Sequence, residues 1–248
     1  MITLLIIFIL IILVFYFYSH DYFEGFDDLD NKNMPPIYVI NLKHRADRKH
    51  RTEEQLTKHG LTGKFIEAVN GSYLDINKLE DDGYLNVKRK RMRRGEIGCY
   101  LSHIKCWLEI LKSNAPMGLI FEDDIILKSD FVPTLSKMLV SVKDKEWDLF
   151  YLGRICYGNA WFNELSCITG ENVADDIIYP KTVGWGNHAY IIKRETVRKL
   201  ISEMFPINLP IDWMLPDLYH KKVIKTLGLK KDIVRFSSNK DSDTRRIK

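Results

Sequence analysis

The 248-residue sequence has almost no charge excess. Its 37 Lys and Arg stand against 33 Asp and Glu, a formal net charge of +4, so global electrostatics do not point to nucleic acid. Internal repeats and low-complexity tracts are also absent, which leaves one substantial core to account for a chain that is 46% hydrophobic. Only four cysteines occur, and none has metal-site spacing. Cys99 and Cys106 fall about two turns apart on one predicted helix, roughly 10 Å, too far to bridge. Cys156 and Cys167 lie in a predicted loop and can pair in an oxidising compartment, although the sequence does not require it. No His-rich constellation appears, as a metal-dependent phosphoesterase would need.

Long hydrophobic runs are likewise scarce, with one exception. "MITLLIIFILIILVFYFYS" is apolar from Ile2 to Tyr18 apart from Thr3, and at ~1.5 Å per residue it approaches the ~30 Å of a bilayer's hydrocarbon core. No small-residue cleavage site follows, and the aromatics from Phe15 to Tyr18 suit a membrane interface. The expectation is an uncleaved transmembrane signal anchor over residues 1–18, a polar linker over 19–36 and a globular domain over 37–248. No Lys or Arg precedes the span, so orientation is weakly specified. For such an anchor the commoner arrangement translocates everything that follows, into an ER or Golgi-type lumen or otherwise across the membrane.

The globular part alternates strand and helix. "PIYVINL" reads as a strand, "DRKHRTEEQLTKHG" as a helix closed by Gly60, and "GKFIEAV" as a second strand, a β-α-β opening that implies a parallel sheet. "EIGCYLSHIKCWLEILK" carries Ile97, Leu101, Ile104, Leu108 and Leu111 at helical spacing. Further strands are predicted at "LIFEDDIIL", "WDLFYLG" and "HAYII", and helices near Phe131 to Val142 and over "RETVRKLISEM". An α/β sheet of this kind binds ligands beyond the carboxyl ends of its strands.

"LIFEDDIIL" places three carboxylates where a buried strand ends. Alternation puts Glu122 and Asp124 on one side and Asp123 on the other. Adjacent carboxylates repel unless a cation intervenes, and hard ions such as Mn²⁺ or Mg²⁺ prefer oxygen ligands. Glu122 and Asp124 are therefore the candidate metal ligands. An isolated acidic triplet can equally do no more than end the strand and cap the next helix.

Taken together, "YVINLKHRADR", "EAVNG", "GEIGCYLSHIKCW", "LIFEDDI", "WDLFYLGR", "HAYII", "LPIDWMLP" and "SDT" resemble glycosyltransferase family 25, in family order from Ile37 to about Thr244. The resemblance implies a GT-A type Rossmann-like fold. It also implies metal-assisted transfer of a sugar, galactose by family, from a UDP-sugar to a hydroxyl on a protein or glycan acceptor. "LPID" and "LGR" are similar to the procollagen-type members, whereas Trp213 stands where those tend to carry an acid.

On this basis, Arg45 and Arg48 are expected to reach the donor's diphosphate, and Asn41 and Leu42 to contact its base from the strand tip. Asp123 is a candidate for ribose or sugar hydroxyls, or for capping a neighbouring loop. Ser102 and His103 are assigned a donor-site role, against a packing role for the histidine. Asp212 is the candidate base for an inverting displacement, against a plain helix N-cap. Trp185 is a candidate sugar-stacking surface, with His188 beside it, against burial in the core. The run "KRKRMRR" from Lys88 to Arg94 reads as a solvated loop, with closure over a phosphate or attraction to anionic lipid or acceptor as the sharper options. A non-catalytic carbohydrate-binding module with the same fold and a metal-dependent phosphoesterase, with the acidic strand end as its ion site, are the competing classes.

Overall fold

A computed structural model describes residues 34–86, 92–156, 167–237 and 243. The expected anchor and most of the linker lie outside these residues, as do Lys88 to Arg91. Among the described residues no helix is long and apolar enough to cross a membrane.

Among the described residues eight strands form one mixed sheet, in the order β2 (Lys64–Glu67), β1 (Ile37–Asn41), β3 (Met117–Glu122), β8 (Trp185–Lys193), β5 (Leu149–Ile155), β9 (Thr226–Leu229), β7 (Ile177–Pro180) and β6 (Gly170–Ala174). The β-α-β opening is present: β1 (Ile37–Asn41), α1 (Ala46–Lys58) and β2 (Lys64–Glu67), with β1 parallel to both β2 and β3 (Met117–Glu122). Gly60, at φ 67°, closes α1 in the left-handed conformation that glycine adopts without strain. The parallel expectation does not extend to the sheet's centre. There β8 (Trp185–Lys193) runs antiparallel between β3 and β5 (Leu149–Ile155). No helix intervenes between β5 and β8 among the described residues, and without a crossover a neighbouring strand returns antiparallel. The segment between them folds instead as the hairpin of β6 (Gly170–Ala174) and β7 (Ile177–Pro180), whose β7 pairs with β9 (Thr226–Leu229).

Strand alternation divides the core. Tyr38, Ile40, Ile120, Leu149 and Tyr151 face a cluster that includes α2 (Ile76–Asp81), α3 (Arg94–Lys112), α5 (Arg194–Ile201) and α6 (Ile211–His220). Ile37, Val39, Leu119, Phe121 and Phe150 face the opposite cluster, with Leu56 of α1 and Phe131 and Leu135 of α4 (Phe131–Ser141). Each fully buried side chain of this size contributes roughly 1.5–3 kcal/mol, so both faces must be covered. The α3 helix is more than the amphipathic stripe that its spacing suggests: thirteen of its 19 residues are buried, Trp107 and His103 among them.

Two glycines let the loop after β2 lie against α3. A Cβ at Gly98 would come 2.5 Å from the Val69 carbonyl oxygen, and one at Gly71 would come 2.0 Å from that of Arg94. Ser102 fastens the contact, its hydroxyl accepting from the Val69 N–H at 2.8 Å and donating to the Gly98 carbonyl at 2.6 Å. Gly98→Ala gains up to about 1 kcal/mol of helix propensity but forces backbone apart at a cost of about 1–3 kcal/mol. The clash dominates, so a lower urea midpoint is expected; an unchanged or higher one would show that the loop is not held by this contact.

Candidate active site

The acidic residues sit at the tip of the sheet. The β1–β3 register pairs Ile40 with Glu122, which places Asn41 beside Asp123. The Asn41 side chain donates to Asp123 Oδ2 at 2.7 Å and to the Arg45 carbonyl at 3.1 Å. Arg48, on the first turn of α1, pairs with Asp123 at 2.8 Å and approaches Asp124 at 3.6 Å. Thr52, one turn later, donates to the Asp123 carbonyl. Both Arg48 and Thr52 are buried, so this helix start is a fixed wall of the site.

The strand ends at Glu122, and Asp123 and Asp124 form the turn into the short β4 (Ile125–Leu127), which pairs with β10 (Val234–Phe236). Alternation therefore holds as far as Asp123. Glu122 points to the α3 side and Asp123 to the α1 side, while the turn leaves Asp124 within reach of Arg48. All three carboxylates line a cleft of about 640 Å³, counted out to solvent, together with Leu42, Arg48, Ser102 and Cys99. Asp243 also lines it and pairs with Arg45, which is bonded to Asp47 as well. Sequence reasoning assigned Asp243 no role; its place in "SDT" was the available signal.

On the α3 side the partners are Cys99 and His103. Their ligand atoms and those of Glu122 lie within 4.8 Å of one another, an arrangement able to hold a metal ion. The His103 ring is fully buried, with Nδ1 2.9 Å from the Tyr190 hydroxyl, which also accepts from Trp107 Nε1 at 2.9 Å. Nε2 is thereby turned toward Glu122 Oε1 at 3.5 Å.

Asp212 lies near this group without lining the cleft. It stands in the first turn of α6, whose N-cap is Pro210, so it does not cap the helix. Burial first, and then the charge of Glu122, raise its carboxyl to about 7. Burial likewise raises Glu122, helped by Asp123, and raises Asp124, helped by Glu122, with Arg48 opposing both shifts. Burial lowers His103 to about 4. Asp212 Oδ1, Asp124 Oδ1 and His103 Nε2 are enclosed without a hydrogen-bond partner among the described residues. Converging enclosed acceptors beside carboxyls that resist ionisation suit a bound cation.

Trp185 is exposed rather than part of the core, and its ring stacks on Trp213 at 6.5 Å and 9°. Trp185 lies outside the cleft lining, and His188 is buried 5.5 Å from Phe236. Cys156 and Cys167 form a disulfide, while Cys99 and Cys106 remain free.

The profile of glycosyltransferase family 25 (LPS biosynthesis protein) matches residues 34–215, taking in the acidic strand end, α3 and Asp212. The chain belongs to glycosyltransferase family 25. It is 28% identical over 224 residues to human procollagen galactosyltransferase 2, covering 84% of this chain and 34% of that protein. Procollagen galactosyltransferase 1-B of Xenopus laevis is 31% identical over 205 residues, 79% of this chain and 33% of the relative. Human inactive glycosyltransferase 25 family member 3 is 28% identical over 228 residues, 86% of this chain and 36% of the relative. The chain thus spans about a third of the length of these relatives.

The raised carboxyl pKa values carry a consequence for stability. An acid held above its unfolded pKa of ~4 stabilises the fold while protonated, and that stability is lost as pH rises through the folded value near 7. A divalent cation held by these carboxyls would replace the proton, so its benefit would be largest at pH 8. At a hundred times its Kd a ligand adds ~2.7 kcal/mol, about 5–11 °C in Tm for a domain of this size. Thermal scans with Mn²⁺ and with chelator are expected to differ by that amount at pH 8 and by much less at pH 5.5; equal shifts at both would place the cation elsewhere.

Proposed function

We propose that the chain is a metal-dependent hexosyltransferase of GT-A type. It moves galactose, by family, from a UDP-sugar to a hydroxyl on a protein such as a collagen-like hydroxylysine, or on a glycan, with inversion. The observation that carries this is the convergence of Glu122, Asp124, His103 and Asp212 on one buried polar centre beside an open cleft. In this reading Glu122 and Asp124 hold Mn²⁺ or Mg²⁺. The ion would supply Lewis-acid neutralisation of the diphosphate leaving group.

The remaining roles belong to the chain's own side chains. Asp123, fixed by Asn41 and Arg48, presents its carboxylate edge to donor hydroxyls. Arg48, which lines the cleft, and Arg45 are the guanidiniums offered to the diphosphate, Arg48 while paired with Asp123 and close to Asp124, and Arg45 while paired with Asp47 and Asp243. Leu42 and the Asn41 backbone flank the base. Ser102 shapes the cleft by holding the Val69 loop, and His103 orients Glu122. Asp212 is the base assigned to the proton of the acceptor hydroxyl. The stacked pair Trp185 and Trp213 offers an apolar face to the C–H side of an acceptor sugar. The Cys156–Cys167 disulfide suits an oxidising compartment, which supports a lumenal or otherwise translocated domain behind the N-terminal apolar span.

The test is UDP release from a panel of UDP-sugars, with Mn²⁺ and with chelator, against hydroxylysine-containing collagen peptide and simple saccharides. Manganese-dependent release that rises with one donor and one acceptor supports the transferase. A relative of comparable identity is named inactive, which favours a second reading, a non-catalytic module of the same fold. Donor binding without release under every acceptor would support that module.

A further inference from the structure

The donor-metal position accounts for Glu122 and Asp124 but leaves Cys99 without a task, and gives the inward nitrogen of His103 no more than a 3.5 Å approach to Glu122. Cys99 and His103 are four residues apart on α3, so they stand one above the other on the same helix face. Glu122 reaches them from the end of β3. The imidazole is held from behind by Tyr190, the orienting hydrogen bond that metal-binding histidines generally carry. Its Nε2 is fully enclosed and has no hydrogen-bond partner among the described residues.

The spacing suits an ion. Two bonds of ~2.0–2.1 Å across the 3.5 Å between Nε2 and Oε1 meet at roughly 115–120°, close to tetrahedral. A thiolate, an imidazole and one carboxylate form a mixed soft and borderline set, with a fourth position open to the cleft. Such a set selects zinc-class ions, whereas Mn²⁺ and Mg²⁺ favour all-oxygen sites.

We propose that Cys99, His103 and Glu122 form a zinc-class site, and that its occupation takes Glu122 from the donor-metal position, so that the two ions exclude one another. The exclusion rests on the donor-metal reading above; the zinc-class site does not. Binding displaces the Cys99 proton to solvent and leaves the thiolate on the ion.

Cobalt(II) tests the site without reference to activity, because a cobalt–thiolate bond gives an intense near-ultraviolet charge-transfer band. The metal-free protein, titrated with Co²⁺, is expected to develop that band and to lose it on addition of Zn²⁺. Cys99→Ser should abolish the band. His103→Gln, which keeps the thiol, should weaken cobalt binding by at least about 10–100-fold. No band in the unaltered protein at saturating cobalt, or a band that survives Cys99→Ser, overturns the site; the first outcome does not depend on any variant folding.

Exclusion is read by electron paramagnetic resonance of manganese. Release of bound Mn²⁺ as one equivalent of Zn²⁺ is added supports it, and retention of both ions overturns it. If the cobalt band forms while no donor and acceptor pair yields Mn²⁺-dependent UDP release, the transferase reading fails and the zinc-class site stands.

Discussion

Asp212→Asn is expected to lower sugar transfer by about 10²–10⁴-fold, the usual worth of a general base, while leaving UDP-sugar affinity unchanged. The substitution keeps shape and removes only the capacity to take a proton. Asp212 is suited to that task by its surroundings. Burial and the neighbouring Glu122 hold its carboxyl near 7, where a base is both ionised in part and strong enough to draw a proton from a hydroxyl. Its Oδ1 is enclosed and uncommitted among the described residues. Because Asp212 does not line the cleft, donor binding should not register the change. The check is calorimetric UDP-sugar binding beside the rate of transfer in the same preparation. Equal loss of both would make Asp212 a packing residue of α6.

The elements that could be read from the sequence are those with strong local pattern. The α1 helix closed by Gly60, the long α3 and the strands at "PIYVINL" and "WDLFYLG" all occur close to where periodicity places them. Position in the sheet was less legible. Runs such as "HAYII" look alike in parallel and antiparallel pairing when both faces are covered, so the segment by itself does not reveal the direction of β8. The His103 environment was hidden for a related reason. Spacing suggested a one-sided helix, whereas α3 is enclosed on most sides by the sheet, α5, α6 and the Val69 loop.

The acidic strand end was legible as chemistry, since carboxylates are out of place at the end of an apolar run. The division of labour among them was not. Asp123 is committed to Asn41 and Arg48, and those bonds depend on the β1–β3 register and on a buried helix start, neither of which is visible in one segment. Arg45 illustrates the same limit. Its partner Asp243 lies 198 residues away in sequence, a separation across which no local pattern operates.

The second large effect concerns Asp124. Asp124→Ala should abolish metal-dependent UDP release, at least about a 10²-fold loss when a ligand to a catalytic ion is removed, and should leave the metal-free fold as stable as before or more so. The signs are opposite because the same side chain that would bind the cation is a burden without it. Asp124 is half-buried with Oδ1 enclosed and unpartnered among the described residues, and burial and Glu122 raise its pKa. The 3.6 Å approach of Arg48 compensates only in part, since that guanidinium is engaged more closely by Asp123. Truncation removes a repelling, poorly solvated carboxyl and leaves the Asp123–Arg48–Asn41 frame in place. The expected pair of results is loss of manganese-dependent turnover together with an unchanged or higher Tm in chelator at pH 8. Retained turnover would remove Asp124 from the metal site. A fall in Tm would instead show that Asp124 holds the turn between β3 and β4, which its carbonyl already braces by accepting from the Ser237 N–H at 2.6 Å.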